Sequence, residues 1–221
     1  ISGANPSQAD MTQESFWSPL IEVMEWGEQH THSILCSCLA THALMKAKYG
    51  INRQLKDAKS WGVFPHELIN PDHPLVKDIT EGLQGPHSHY YDLPINEIEQ
   101  TNLQILALNQ DAGFFLASTP KADLVLFQGH PEYDDKSLMK EYEREIKNFL
   151  AGLRSDYPNP PKNYFSLEIE DRLEQVKANI LQTQEAIKFG DEYLRDIDLS
   201  WIHTGKTIYR NWLGLLLDSK P

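Results

Sequence analysis

The sequence predicts a layered α/β domain, because short apolar segments typical of buried strands occur between longer segments with helical periodicity. The 221 residues suit one large domain, and the 40% hydrophobic and 24% charged residues are ordinary proportions for a globular protein. The chain opens with Ile1-Ser2-Gly3, which is typical of a buried strand that runs into a turn. We therefore expect a single domain over residues 1–221 whose N-terminal part is missing from this sequence.

The first predicted elements are a helix and then a strand, a tight turn and a second helix. Apolar residues at helical spacing predict a helix over Trp17–Trp26. The apolar stretch Ser33–Ser37 predicts a short buried strand, and Leu39–Tyr49 has an apolar helical face that ends at Gly50. This pattern places Cys38 at the junction between strand and helix.

The middle of the chain predicts further strands. Trp61–Phe64 is a short apolar segment, whereas Pro65–Tyr91 is rich in histidine and proline, which favours a loop. Three more apolar stretches predict the strands Leu103–Leu108, Gly113–Ser118 and Leu124–Gln128.

The C-terminal third is predicted to be helical. Ser137–Leu153 is clearly amphipathic, and a final amphipathic helix contains Ile208 and Trp212. The long charged segment Ser166–Arg195 also has a helical pattern, and we interpret residues 155–199 as a helical insertion.

Charge and cysteine content limit the classes of partner. The formal net charge of -12 argues against a general nucleic-acid binder, which normally presents a basic face. No apolar run approaches the roughly 20 residues of a membrane span, and no secretory signal opens the chain. A disulfide between Cys36 and Cys38 would be strained. We therefore expect a cytoplasmic protein that binds neither nucleic acid nor membrane.

Cys38 is a candidate nucleophile. Unpaired N–H groups at a helix N-terminus favour a thiolate there and can also stabilise an oxyanion. The backbone N–H groups of Leu39 and Ala40 would be the nearest donors. The alternative is a buried core thiol, since free cysteine is among the most buried residue types. We interpret Cys36, inside the apolar strand, as such a core thiol.

His130 is a candidate general base, because Gly129-His130-Pro131-Glu132 directly follows a predicted strand. Open α/β sheets place their sites at the carboxyl ends of strands. A carboxylate two residues further on can fix the tautomer of the imidazole, a role that suits Glu132. The alternative is a pair of surface loop residues, but a cysteine elbow followed 92 residues later by a His-x-Glu strand end is a stronger pattern than either feature alone.

Several ordered motifs carry a family resemblance. The chain resembles the homoserine O-succinyltransferases and O-acetyltransferases of the methionine pathway, which have a class I glutamine amidotransferase-like (flavodoxin-like) fold with a Cys–His–Glu triad. The match covers most of residues 1–154 and 200–215. Its motifs are Gly3-Ala4, Thr31-His32-Ser33-Ile34-Leu35-Cys36-Ser37-Cys38, Gly62-Val63-Phe64-Pro65-His66, His73-Pro74-Leu75, Pro86-His87-Ser88-His89-Tyr90, Gly129-His130-Pro131-Glu132-Tyr133-Asp134 and Asn211-Trp212-Leu213.

The resemblance implies a reaction and roles for particular residues. Cys38 would take the acyl group from acyl-CoA, His130 would deprotonate the hydroxyl of L-homoserine, and Glu132 would orient His130. Family positions that bind substrate fall on Lys59, Ser88 and Arg144. Without the resemblance, Lys59 and Arg144 are equally well explained as solvated surface charges. Acyl-CoA would be a co-substrate, with no cofactor or metal, and the protein would be a homo-oligomer, a dimer.

The choice of acyl group is implied by one position. The family residue that selects the acyl group corresponds to Ser7, where glycine or glutamate is usual. A small serine leaves room for a succinyl chain, whereas glutamate would repel its carboxylate, so succinyl-CoA is favoured over acetyl-CoA. The sequence departs from the family pattern at Asn5, where proline is usual, and at Leu39-Ala40-Thr41-His42, where an aromatic residue and a Gly-Ala-Gln run are usual.

Three alternatives remain open from the sequence. The same triad would serve a thiol hydrolase or an amidotransferase, with water or ammonia as acceptor. A metal-binding protein is conceivable because four histidines lie in one segment, namely His66, His73, His87 and His89. A non-catalytic domain that keeps the fold is the third alternative.

Overall fold

The computed structural model describes residues 1–3, 6–80 and 82–218, so the turn positions Ala4 and Asn5 lie outside the described residues. Within these ranges six strands form one sheet in the order β1-β6-β5-β4-β2-β3. The strands are β1 Ile34–Ser37, β2 Gln54–Leu68, β3 Leu83–Asp92, β4 Gln104–Asn109, β5 Gly113–Ser118 and β6 Leu124–Phe127.

Six α-helices surround the sheet in the described part of the chain. They are α1 Trp17–His30, α2 Leu39–Tyr49, α3 Ile95–Ile98, α4 Ser137–Leu150, α5 Leu167–Thr183 and α6 Ser200–Asp218. Short 3₁₀ turns occupy Met11–Gln13, Pro74–Val76 and Asp191–Leu194. The strand-turn-helix unit around residue 38 and the three strands of the region 103–128 are confirmed, with ends shifted by one residue at most.

Strand pairing brings two distant parts of the chain together. β1 pairs in parallel with β6, and Ser37 lies opposite Phe127. The remaining neighbours along the sheet pair antiparallel. Because parallel strands end at the same edge, the residues that follow β1 and those that follow β6 must meet there.

Apolar side chains cover the sheet and support the helices around it. Helices α1 and α2 contribute to one core cluster that includes Met24, Leu44 and Leu126. A second cluster contains Ile208 of α6 together with strand residues such as Phe115. A third lies between α4, α5 and β2 and includes Tyr142.

The predicted loop over residues 65–91 is wrong at both ends. β2 continues to Leu68, and β3 occupies Leu83–Asp92 antiparallel to it. The strand prediction failed because the interior of this hairpin is polar: His66, His87 and His89 are buried. An inward-facing histidine breaks the alternation of apolar and polar residues on which strand prediction depends.

The charged helix is shorter than predicted. α5 ends at Thr183, and Gln184 follows in the left-handed conformation with φ 59°. Helix α4 likewise ends at Leu150 rather than at residue 153. The segment that we interpret as an insertion packs closely on β2, where a side chain at Gly62 would collide with the Lys162 carbonyl. Its role as an insertion in a single domain stays a prediction. In the described residues, we find no helix with the length and apolar character of a membrane span.

Candidate active site

Cys38 occupies a strained turn between β1 and α2. Its backbone has φ 51° and ψ −118°, a combination that L-residues rarely adopt, and its N–H donates to the Phe127 carbonyl at 2.9 Å. Sharp strand-to-helix turns of this kind expose a nucleophile at the edge of a sheet, so the strain favours a functional role for Cys38. The thiol is partly exposed. Cys36 is fully buried, and burial raises the pKa of its thiol to about 12, which fits the predicted core role.

The backbone of Leu39 and Gly3 lies close to the Cys38 side chain. Leu39 is the first residue of α2, so its N–H has no partner within the helix. Gly3 approaches from the N-terminal segment so closely that a Cβ there would lie 3.0 Å from both the Cys38 Cβ and the Leu39 nitrogen. Only glycine fits at this approach without displacement. An acyl group attached to this sulfur would therefore lie beside the backbone of Gly3 and Leu39.

His130 and Glu132 meet Cys38 at the same edge of the sheet. The His130 Nδ1 lies 2.9 Å from Glu132 Oε1, and the His130 N–H donates to the Pro86 carbonyl at 2.8 Å. Burial lowers the pKa of His130, but its interactions with the side chains of Cys38 and Glu132 outweigh burial and raise this pKa to about 10. A protonated imidazole beside a thiolate is the ion pair that activates a cysteine nucleophile.

Further hydrogen bonds hold Glu132. The hydroxyls of Ser37 and Ser2 each lie 3.4 Å from its Oε1. Burial raises the pKa of this carboxyl, but the hydrogen bond from His130 and its charge lower it more, so the group remains ionised. The carboxylate therefore fixes the imidazole with Nδ1 as the donor to Glu132, leaving Nε2 for the sulfur side.

A second carboxylate organises the opposite wall of the site. The ring of Tyr133 stacks on His130, with centroids 4.2 Å apart, and its hydroxyl donates to Glu141 Oε1. The Ser88 hydroxyl donates to Glu141 Oε2 at 2.5 Å, and Lys59 Nζ lies 3.6 Å from the same oxygen. Glu141 is thus a hub that connects His130, through Tyr133, with two of the residues predicted to bind substrate.

The three predicted substrate residues converge at this hub. The Arg144 guanidinium lies 4.0 Å from Glu141 and 3.4 Å from Glu145. Burial lowers the pKa of Lys59, while Glu141 and Glu145 oppose that shift by raising it. The Lys59 side chain is only 14% exposed and contacts a carboxylate, so it is not a solvated surface charge, whereas Arg144 is about half exposed.

Most of these groups, although not Glu132, line one cleft of about 710 Å³. Its described lining includes Cys38, His130, Lys59, Ser88 and Arg144. Such a volume is typical of a small-molecule site. The cleft therefore brings together the predicted nucleophile, the predicted base and a group of cations that the sequence separates by up to 106 positions.

Ser7 lies at the rim of this cleft. Its neighbour Pro6 belongs to the described lining, whereas Ser7 itself is exposed and does not. The Ser7 N–H and hydroxyl donate to Glu14 at 2.5 and 3.0 Å. Its predicted role in acyl selection stays a prediction.

The histidines of the hairpin form a hydrogen-bonded row. The Nε2 atoms of His66 and His87 are 3.0 Å apart, and His87 Nδ1 is 2.9 Å from His89 Nε2. Burial lowers the pKa of both His66 and His89 to about 4, so the row is neutral at pH 7. His73 lies elsewhere, against the Thr119 carbonyl. Across residues 1–3, 6–80 and 82–218, no group of three or more potential His, Cys, Asp or Glu ligands is arranged to hold a metal ion.

Comparison with known proteins agrees with this geometry. The family model for homoserine O-succinyltransferase matches residues 1–220 of the chain. The chain belongs to this family.

Individual relatives support the same assignment. A homoserine O-succinyltransferase of Methylococcus capsulatus is 43% identical over 220 residues, and one of Methylobacter tundripaludum is also 43% identical over 220 residues. Each alignment covers 97% of this chain, and the chain spans 62% of the length of these relatives.

Solved structures confirm the predicted fold. A glutamine amidotransferase from Methylobacillus flagellatus superposes with a TM-score of 0.61 at 14% identity, over 95% of this chain and 73% of that one. A glutamine amidotransferase from Thermotoga maritima gives a TM-score of 0.52 at 15% identity, over 98% of this chain and 76% of that one. These likenesses show the class I glutamine amidotransferase-like fold alone.

Three residues of the site were not predicted from the sequence. Glu141 received no role from the sequence, yet it is buried. Its position three residues before Arg144 on one helix face was the available signal. Tyr133 stood inside the His130 motif but was given no role. Arg53, which also lines the cleft, was indistinguishable from the lysines near it in sequence.

Proposed function

We propose that this chain transfers a succinyl group from succinyl-CoA to the hydroxyl of L-homoserine, through a thioester on Cys38, as a step of methionine biosynthesis. The single observation that carries this proposal is the shared cleft: Cys38 and His130 line it together with Lys59 and other side chains suited to an amino acid, and Glu132 lies 2.9 Å from His130. We also propose that the reaction needs no cofactor beyond the acyl-CoA, and that the protein works as a homodimer in the cytoplasm.

In the first half-reaction the Cys38 thiolate attacks the thioester carbonyl of succinyl-CoA. The N–H of Leu39 stabilises the oxyanion of the tetrahedral intermediate. The C–S bond to CoA then breaks, and the imidazolium of His130 gives its proton to the departing CoA sulfur. The products are free CoA, a succinyl thioester on Cys38 and a neutral His130.

In the second half-reaction homoserine replaces CoA in the cleft. Neutral His130 removes the proton of the homoserine hydroxyl, and the oxygen attacks the thioester carbonyl. Collapse of the second intermediate forms the ester and releases Cys38 as thiolate, which restores its ion pair with His130. Glu132 stabilises the imidazolium in both half-reactions through its 2.9 Å contact.

The wall opposite the triad offers complementary charges for the acceptor. A guanidinium fork such as Arg144 suits the homoserine carboxylate. Glu141 supplies a buried carboxylate for its ammonium group. The Ser88 hydroxyl, which lies against Glu141, adds a neutral hydrogen-bonding group. A water molecule has neither a carboxylate nor an ammonium group for these side chains to bind, so the wall favours an amino-acid acceptor over hydrolysis.

Intact mass spectrometry tests the proposal directly. After mixing with succinyl-CoA, the protein should gain one succinyl group, and peptide mapping should locate it on Cys38. Cys38→Ser should abolish this gain, while Cys36→Ser is the matched control that retains it. Homoserine should then remove the group and release O-succinylhomoserine. A modification elsewhere, or loss of the group at the same rate without homoserine, would overturn the proposal.

A further inference from the structure

Arg53 enters the cleft from the segment between α2 and β2. Its guanidinium lies 3.9 Å from the centroid of the Tyr91 ring. Its Nη2 donates to the carbonyls of Gln8 and Ala9 at 2.9 and 3.2 Å. These contacts fix the side chain beside the N-terminal segment that contains Ser7. None of them involves the Glu141 hub, so Arg53 belongs to a different part of the cleft.

The charge of Arg53 is unbalanced. Three cations line the cleft in the described part of the chain, and two of them, Lys59 and Arg144, have a carboxylate within 4.0 Å. Among the described residues, no carboxylate oxygen lies within 4.0 Å of Arg53, and its buried Nε has no hydrogen-bond partner there.

The nearest acidic groups do not supply the missing partner. The Glu14 carboxylate already accepts from the N–H groups of Ser7 and Gln8 and from the Ser7 hydroxyl. Burial lowers the pKa of Arg53, and Tyr91, Glu14, Asp10 and Cys38 oppose this shift through their charges. Arg53 is therefore close enough to the nucleophile to interact electrostatically with it, yet it keeps donor capacity that no described acceptor uses.

We propose that Arg53 binds the free carboxylate at the end of the acyl chain and so selects a dicarboxylic acyl donor over acetyl. This inference rests on the proposed function, because the chain must first be attached to Cys38. A planar guanidinium that already donates to carbonyl groups can bind a carboxylate by donating hydrogen bonds from its remaining N–H groups. The partner missing from the free protein is then supplied by the substrate.

The test is a cycle of two changes, one in the protein and one in the donor. Initial rates of homoserine-dependent CoA release are measured with succinyl-CoA, with its terminal amide, and with acetyl-CoA. The variants are Arg53→Gln, which removes the charge but keeps amide donors for Gln8 and Ala9, and Arg53→Lys, which keeps the charge. Arg210→Gln is the matched control, because Arg210 lies in an exposed pair with Asp78.

A carboxylate site at Arg53 predicts that the ratio of kcat/KM for succinyl-CoA to that for acetyl-CoA falls about tenfold to a hundredfold in Arg53→Gln. The wild type should prefer succinyl-CoA to its terminal amide by a similar factor, and this preference should vanish in Arg53→Gln. Arg53→Lys should recover part of the ratio. Arg210→Gln should leave it unchanged.

Three other results would overturn the assignment. If succinyl and acetyl transfer fall together in Arg53→Gln, the arginine binds a part common to both donors, such as a phosphate of CoA. If the wild type uses the terminal amide at the same rate as succinyl-CoA, no cation in the cleft recognises the carboxylate. This measurement uses the wild-type protein alone, so it does not depend on whether a variant folds. If the wild type releases no CoA in response to homoserine from any donor, the proposed function itself fails and the inference fails with it.

Discussion

Replacing Glu132 by glutamine tests whether its negative charge, rather than its shape, activates His130. The side chain keeps its size, and its amide oxygen can still accept from His130 Nδ1 at about the observed 2.9 Å. What disappears is the carboxylate charge, which contributes to the raised pKa of His130 together with Cys38. We therefore expect the pKa of His130 to fall and the population of the thiolate–imidazolium pair to decrease.

The size of the effect follows from the exposure of the group. A hydrogen bond to a charged partner contributes about 1.5–3 kcal/mol. The Glu132 side chain is 35% exposed, so water screens part of its charge, and the lower end of this range, about 1.5–2 kcal/mol, is appropriate. At about 1.4 kcal/mol per factor of ten, kcat/KM should fall roughly tenfold to thirtyfold.

The assay is the pH dependence of kcat/KM for the acyl donor. CoA leaves with a proton from the imidazolium, so the rate must fall where His130 loses its proton, and Glu132→Gln should move this basic limb to lower pH. Ser37→Ala is the matched control, because it removes a 3.4 Å contact to the same carboxylate and leaves the charge in place. A glutamine variant with an unshifted limb and the wild-type rate would refute the role given to Glu132.

Three further predictions test other parts of the molecule. Arg144→Ala should raise the KM for homoserine about tenfold or more while acylation by succinyl-CoA proceeds, and loss of acylation in single-turnover mixing would contradict its place in the acceptor site. Cys36→Ser should lower the free energy of unfolding by about 1–3 kcal/mol in urea titrations, since it buries a hydroxyl in an apolar strand, and an unchanged urea midpoint would contradict this. The free energy of unfolding should also fall as the pH is lowered from 6.5 to 5. Burial lowers the folded-state pKa of His42 to about 3 and those of His66 and His89 to about 4. In this interval these histidines therefore bind protons only in the unfolded chain. Each such histidine contributes a slope of up to about 1.4 kcal/mol per pH unit, and a urea midpoint that stays constant over this interval would refute their burial in the neutral form.

The parts of the fold that were predictable from sequence have local signals. The turn at Cys38 was predictable because an apolar strand, a cysteine and an amphipathic helix follow one another directly. The strands between residues 103 and 128 are continuous apolar runs. The β2–β3 hairpin was not predictable in this way, because its inward-facing histidines remove the apolar signal that a buried strand normally has.

The site required information that local patterns do not contain. Cys38 and His130 meet because β1 and β6 are sheet neighbours, and single-sequence periodicity predicts strands but not their order. Family resemblance supplied that adjacency and identified the triad. It did not identify Glu141 or Arg53, because among 52 charged residues nothing in the sequence separates a charge inside the cleft from one on the surface.

The burial and pairing of individual charges, rather than the net charge, determine what the cleft can bind. A chain with a formal net charge of -12 should repel succinyl-CoA if its charges acted evenly. Exposed charges farther away than the Debye length, about 8 Å at physiological ionic strength, are largely screened by salt, so the groups inside the cleft dominate. There Glu141 balances Lys59, while Arg53 has no carboxylate within 4.0 Å among the described residues. Under the proposed function, the paired charges of Lys59 and Glu141 therefore suit the zwitterionic acceptor, and the positive charge of Arg53 suits the carboxylate of the acyl donor.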